Sequence, residues 1–255
     1  KMRIEEIEEW KKKVEDHLGV KIKEKREFPP EDIPREEEAL SQFLARHIDH
    51  TLLKPHTTLG EVENLCQEAK EWNFWGASVN PFYIPACAQL LRGTKTVVVA
   101  VAGFPLGQNK PEIKAREARL AFQEGAREVD MVINLGALKN GDWKLVYQDI
   151  RGVVEEVSPG IVKVILENCY LSPEEKVVGC LIAQAAGAHF VKTSTGFGSG
   201  GATVEDVELM RQVVGESMGI KAAGGIRSRE VALQMIKAGA NRLGTSSGVK
   251  IMKGE

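Results

Sequence analysis

From His47 onward the chain alternates between short β-branched runs and longer stretches whose apolar residues recur at helical spacing. The strand-like runs are HIDHTLL (47–53), GASVN (76–80), TVVVAVA (96–102), EVDMVIN (128–134), IVKVILE (161–167), HFVKTST (189–195), GIKAAGG (219–225) and NRLGTSS (241–247). The helix candidates between them open on capping signals: Thr57-Thr58, Ser172-Pro173, Thr203 and Ser228. Each supplies a hydroxyl where the first helical turn has unpaired N–H groups. Gly76-Ala77, Gly125-Ala126, Gly187-Ala188 and Gly239-Ala240 stand just ahead of strands, where glycine provides the left-handed cap that ends a helix. Eight such β-then-α units predict an α/β protein of the (β/α)8, or TIM barrel, type. An open doubly wound sheet usually has fewer strands, and no GxGxxG follows the first run.

The segment before the barrel reads differently. Ile4, Ile7, Trp10, Val14 and Leu18 recur at helical spacing through a Lys/Glu-rich stretch reaching about residue 26. FPPEDIP (28–34) then disfavours both helix and sheet. Residues 1–43 are therefore expected to form a helical arm and linker, packed on the main domain or on a neighbouring subunit. Residues 44–255 are expected to form the barrel.

Composition narrows the function classes. A hydrophobic content of 43% and a charged content of 27% fit a soluble globular protein with a sizeable core. The net charge of -2 gives no reason to expect nucleic acid or an acidic membrane as partner. TVVVAVAGFPL is too short and too interrupted to span a bilayer, and no signal peptide is visible. Cys66, Cys87, Cys169 and Cys180 are dispersed, which argues against a zinc site or a disulfide framework and for a reducing, cytoplasmic compartment. His47 and His50 fall on opposite faces of a strand, so no metal site is read from them.

The chemistry lies in charges within the strands. Asp49, Asp130, Lys163, Lys192 and Lys221 are the candidates for the barrel interior, and Glu167 shares the parity of Lys163 and could pair with it. A lysine buried among other cations loses its proton more easily, and the neutral amine attacks carbonyls. A salt-bridge network that merely fills the barrel is the alternative, but three lysines are a costly way to build a core. The strand ends TSTGFGSGG, AAGGI and LGTSSG add a second signal: exposed backbone N–H groups and hydroxyls at one corner suit a phosphate. A phosphorylated substrate beside a nucleophilic lysine suggests carbon–carbon bond chemistry through an imine, with no metal or cofactor and with Asp130 moving the protons.

In IDHTLLKP, VNPFYIP, VAGFPLG, EVDMVIN, VKVILE, FVKTSTGFGSGGAT, IKAAGGIR and GTSSG the chain resembles the deoxyribose-phosphate aldolases, a class I (Schiff-base) aldolase family, over about residues 44–252. The resemblance implies reversible cleavage of 2-deoxy-D-ribose 5-phosphate to D-glyceraldehyde 3-phosphate and acetaldehyde. It implies Lys192 as the Schiff-base lysine, Lys221 as the cation that keeps its pKa low, and Asp130 with a water as general acid/base. Asp49 and Lys163 would orient that relay. The phosphate would rest on Gly196, Gly224, Gly225, Gly244, Ser246 and Ser247. Barrels of this kind are often homodimers or homotetramers. Many family members carry cysteine where this chain has Ser78; greater tolerance of acetaldehyde or crotonaldehyde is expected here than in Ser78→Cys, and equal inactivation of the two would dispose of that expectation. Three rivals share features of the pattern: a Schiff-base aldolase for another phosphorylated sugar, a pyridoxal-phosphate barrel, and a non-catalytic sugar-phosphate binding protein.

Overall fold

The computed structural model describes residues 2–255; Lys1, the first residue of the expected arm, lies outside them. Eight parallel strands close into a barrel in chain order: β1 (Ile48–Leu52), β2 (Gly76–Val79), β3 (Val97–Ala102), β4 (Glu128–Val132), β5 (Ile161–Ile165), β6 (Phe190–Lys192), β7 (Gly219–Ala223) and β8 (Arg242–Thr245). The expected (β/α)8 architecture is therefore the observed one. Two helices precede the barrel, α1 (Ile4–Leu18) and α2 (Glu37–Ala45). Around it run α3 (Leu59–Glu71), α4 (Ile84–Leu90), α5 (Pro111–Gln123), α6 (Leu135–Lys139), α7 (Trp143–Val157), α8 (Pro173–Ala185), α9 (Val204–Val214), α10 (Arg229–Ala238) and α11 (Gly248–Lys253). Among the described residues no helix is long and apolar enough to cross a membrane.

The capping signals act as expected. Thr58, Ser172, Thr203 and Ser228 each accept a hydrogen bond from the backbone N–H three residues on, at the starts of α3, α8, α9 and α10. Gly125, Gly187 and Gly239 have φ of +123°, +85° and +121° just after α5, α8 and α10. Gly76 does not close a helix. Asn73, at φ +53°, makes the turn after α3, and Gly76 is already the first residue of β2. Its glycine serves the barrel interior: a Cβ there would stand 2.6 Å from Asp49 Oδ1 and 2.9 Å from Val99 Cγ2.

Helix α1 ends at Leu18 on a left-handed Gly19, earlier than the expected residue 26. It lies on α7 and α8, burying Ile7 and Val14 and setting Trp10 edge-on to Trp143 at 6.4 Å. Residues 28–34 form neither helix nor strand, as the prolines require. Helix α2 was not anticipated and runs through residues 43 and 44, the expected border of the arm. A second unanticipated feature lies outside the barrel. Lys114 on α5, fully buried, donates to Asp149 Oδ2 on α7 at 2.6 Å and to the Val132 carbonyl at 2.9 Å. That ion pair ties two helices to the end of β4.

Candidate active site

Alternate residues of a strand face the barrel interior, and in such barrels alternate strands fill successive layers. The pairing register defines three of them. The floor holds Gly76, Glu128, Phe190 and Arg242. The middle holds Asp49, Val99, Lys163 and Lys221. The upper layer, toward the strands' C-terminal ends, holds Ser78, Asp130, Lys192 and Gly244. All five charged residues expected inside the barrel are inside it.

Asp130 is the hub. Its Oδ2 accepts from Lys192 Nζ at 2.9 Å and from Lys221 Nζ at 2.8 Å, and its Oδ1 accepts from Lys163 Nζ at 2.7 Å. Lys221 also donates to Asp49 Oδ2 at 2.6 Å. Lys163 reaches Glu128 Oε2 at 2.6 Å and lies 3.8 Å from Asp49 Oδ2. Arg242 Nη1 bridges Asp49 Oδ1 at 3.0 Å and Glu128 Oε2 at 2.8 Å. Glu128 and Arg242 had not been anticipated, although Glu128 shares the parity of Asp130 and could have been found by it. Glu167 is a correction. The strand ends at Ile165, Glu167 takes φ +55°, and its carboxylate accepts from Thr195 rather than meeting Lys163.

Four cations, Lys163, Lys192, Lys221 and Arg242, thus face three carboxylates, Asp49, Glu128 and Asp130. One cation is in excess, and the contacts identify which one gives up its proton most easily. Burial works to raise the pKa of Asp130, but Lys163, Lys192 and Lys221 override it and hold the carboxylate well below its ordinary value. Burial works to lower that of Lys163, but Asp130, Glu128 and Asp49 more than compensate, so it is raised. Lys192 has only Asp130 to set against burial, and repulsion from Lys221 and Lys163 adds to the loss. Its pKa is pushed down to about 8. Burial is the largest cause, and Lys221 and Lys163 add to it. Lys221→Leu should still move the rising limb of the pH–rate profile toward higher pH, by up to about one unit, and slow the enzyme severely. A profile that stays in place would contradict the electrostatic role of Lys221.

The expected phosphate residues divide. Gly196, Gly225 and Ser246 are exposed in the segments after β6, β7 and β8. Gly196, Gly224 and Gly225 have φ of +86°, +89° and +80°, and Gly196 and Gly225 have open space where a Cβ would stand. Ser247 is half-buried, its N–H bonded to Thr245 Oγ1 at 2.9 Å. Gly244 lies within β8, and a Cβ there would fall 2.9 Å from Lys221 Cε, so its visible service is to leave that lysine room. Ser78, fully buried in the layer of Lys192, has a hydroxyl without a hydrogen-bond partner.

Comparison with known proteins decides the family. Residues 43–254 match the DeoC/LacD family aldolases. The chain belongs to that family. It is 54% identical over 221 residues to a deoxyribose-phosphate aldolase of Thermotoga petrophila, covering 87% of this chain and 89% of the relative. With the deoxyribose-phosphate aldolase of Streptococcus gordonii it shares 55% identity over 212 residues, 83% of this chain and 96% of the other. Among solved structures, the tetrameric deoxyribose phosphate aldolase of Aeropyrum pernix superimposes with a TM-score of 0.79 at 32% identity, over 96% of both chains. This aldolase is therefore a carbon–carbon lyase built on a (β/α)8 barrel, as the motifs implied.

Proposed function

We propose that the chain reversibly cleaves 2-deoxy-D-ribose 5-phosphate to D-glyceraldehyde 3-phosphate and acetaldehyde through an imine on Lys192. The observation that carries this reading is the upper layer: a buried lysine with a pKa near 8 bonded to the carboxylate that also meets the other two lysines. The neutral amine attacks C1 of the open-chain sugar, and the carbinolamine loses water to give an iminium. Removal of the proton from the C3 hydroxyl then breaks the C2–C3 bond. Its electron pair passes into the enamine, and glyceraldehyde 3-phosphate departs. Protonation at C2 and hydrolysis release acetaldehyde and restore the lysine. Asp130, with a water between it and the substrate, moves these protons, while Lys221 relays them. Asp49 and Lys163 orient the pair.

The glycine-rich segments after β6, β7 and β8 hold the phosphate. Residues 1–43 serve as an arm to a barrel domain of residues 44–255, and the protein works in the cytoplasm as a homodimer or homotetramer; the tetrameric Aeropyrum relative supports an oligomer. The test is substrate turnover. Incubation with 2-deoxy-D-ribose 5-phosphate should release acetaldehyde and glyceraldehyde 3-phosphate in equal amounts, and the unphosphorylated sugar should react far more slowly. Indifference to the phosphate, or cleavage only of a different phosphorylated sugar, would contradict the reading.

A further inference from the structure

The arm leads into the family-matched residues, and at Phe28 it passes against the floor of the barrel, beneath the lysine layers. The Phe28 ring meets the Phe190 ring edge-on at 4.9 Å. Phe190 turns into the barrel, and the chain makes room for it: a Cβ on Gly219 of β7 would fall 2.3 Å from its ring. On the interior side the Phe190 ring faces the Arg242 guanidinium at 5.3 Å and Lys163 Nζ at 6.0 Å. Trp75 covers Arg242 at 4.6 Å and donates its indole N–H to Glu128 Oε1 at 2.9 Å. The floor is thus an aromatic layer against a buried ion pair, with Trp75 42% exposed and a cavity of about 300 Å³ opening between Phe28, Trp75, Phe190 and Arg242.

Backbone contacts hold Phe28 in place. Its N–H and that of Glu27 donate to the Glu216 carbonyl at 2.9 and 3.1 Å, and the Lys25 N–H donates to Ser217 Oγ at 2.9 Å. Residues 216 and 217 lead directly into β7, the strand that carries Lys221. The arm therefore borders the charge network at one remove in two places, through Phe190 and through the turn that precedes β7.

We propose that the arm is a seal for the barrel floor, with Phe28 as its closing ring, and that this seal keeps water from the charge network on which Lys192 depends. Phe28 is a positioning residue: it acts through Phe190 and the Arg242–Glu128 pair. The proposal rests on the imine reading above. Lys192 is faced by Asp130 of β4, Lys163 of β5 and Lys221 of β7; Asp49 of β1 shares the layer of those two lysines, and Glu128 of β4 and Arg242 of β8 lie below it. Water admitted from below raises the local dielectric and screens all of these charges. It also relieves the desolvation that makes the Lys192 ammonium unstable, so the pKa climbs back toward that of an ordinary lysine and less neutral amine remains at pH 7.

The experiment uses the full-length chain and follows, against pH, the rate at which borohydride traps acetaldehyde on Lys192. For Phe28→Ala the rising limb should move toward higher pH by about half to one unit, with a loss of about three- to tenfold at pH 7. Phe28→Gln, which puts a polar chain in place of the ring and admits water, should do the same if the alanine variant fails to fold. Phe28→Leu keeps the floor apolar and should leave the limb where it is. A merely structural arm would lower the melting temperature and the maximal rate without moving the limb. An unmoved limb in Phe28→Ala and Phe28→Gln, or a Phe28→Leu limb displaced as far as theirs, overturns the seal. An unaltered chain that forms no adduct on Lys192 overturns the imine reading and the seal together, whereas an adduct with an unmoved limb overturns the seal alone.

Discussion

Lys192→Ala is expected to lose at least about four orders of magnitude in turnover, because no other group supplies the covalent electron sink. The fold should survive. Removing Lys192 leaves Lys163, Lys221 and Arg242 facing Asp49, Glu128 and Asp130, a balanced set, where the unaltered barrel carries one cation in excess. Melting temperature and steady-state kinetics on one preparation test both halves. A variant that keeps activity within about tenfold of the unaltered enzyme would remove Lys192 from the mechanism.

The second large effect belongs to Asp130→Asn. Proton transfer by a positioned group contributes about two to four orders of magnitude, and carbon–carbon cleavage should fall by that much. Stability should fall too, because the three ammoniums lose their shared carboxylate, and breaking a buried pair commonly costs about 3–5 kcal/mol. The sharper expectation concerns sign. Asp130 raises the pKa of Lys192, so its neutralisation should move the limb for acetaldehyde adduct formation toward lower pH. Lys221→Leu should move the same limb the other way, since Lys221 lowers that pKa. Opposite displacements in the two variants cannot come from general loosening of the barrel. Displacement in one direction for both would contradict the electrostatic account.

How much of this could be read from the chain depends on the range of the interaction. Asp49, Asp130, Lys163, Lys192 and Lys221 were legible as interior residues because strand side chains alternate with a period of two, and that period holds while the strand lasts. Glu167 shows its limit: two residues past the end of β5 its backbone is left-handed and parity no longer applies. Gly76 shows a related limit. A glycine before a strand reads as a helix cap, yet here Asn73 takes the left-handed position and Gly76 clears space for Asp49.

Glu128 and Arg242 open their strands, where a charge reads as solvent-facing; only closure of β8 on β1 brings them together beside Phe190 and under the lysines. The landing of Phe28 on Phe190, and the Lys114–Asp149 pair between α5 and α7, depend on long-range packing with no local pattern to announce it. The interior charges were thus visible in strand periodicity, whereas the surroundings that tune them came from tertiary contacts.

In the proposed mechanism everything turns on the imine at Lys192. Borohydride reduction in the presence of acetaldehyde, followed by peptide mass mapping, tests it most directly. A single ethyl adduct is expected on the peptide carrying Lys192, formed faster as pH rises through about 8. No adduct on Lys192, or one shared with Lys163 or Lys221, would contradict it.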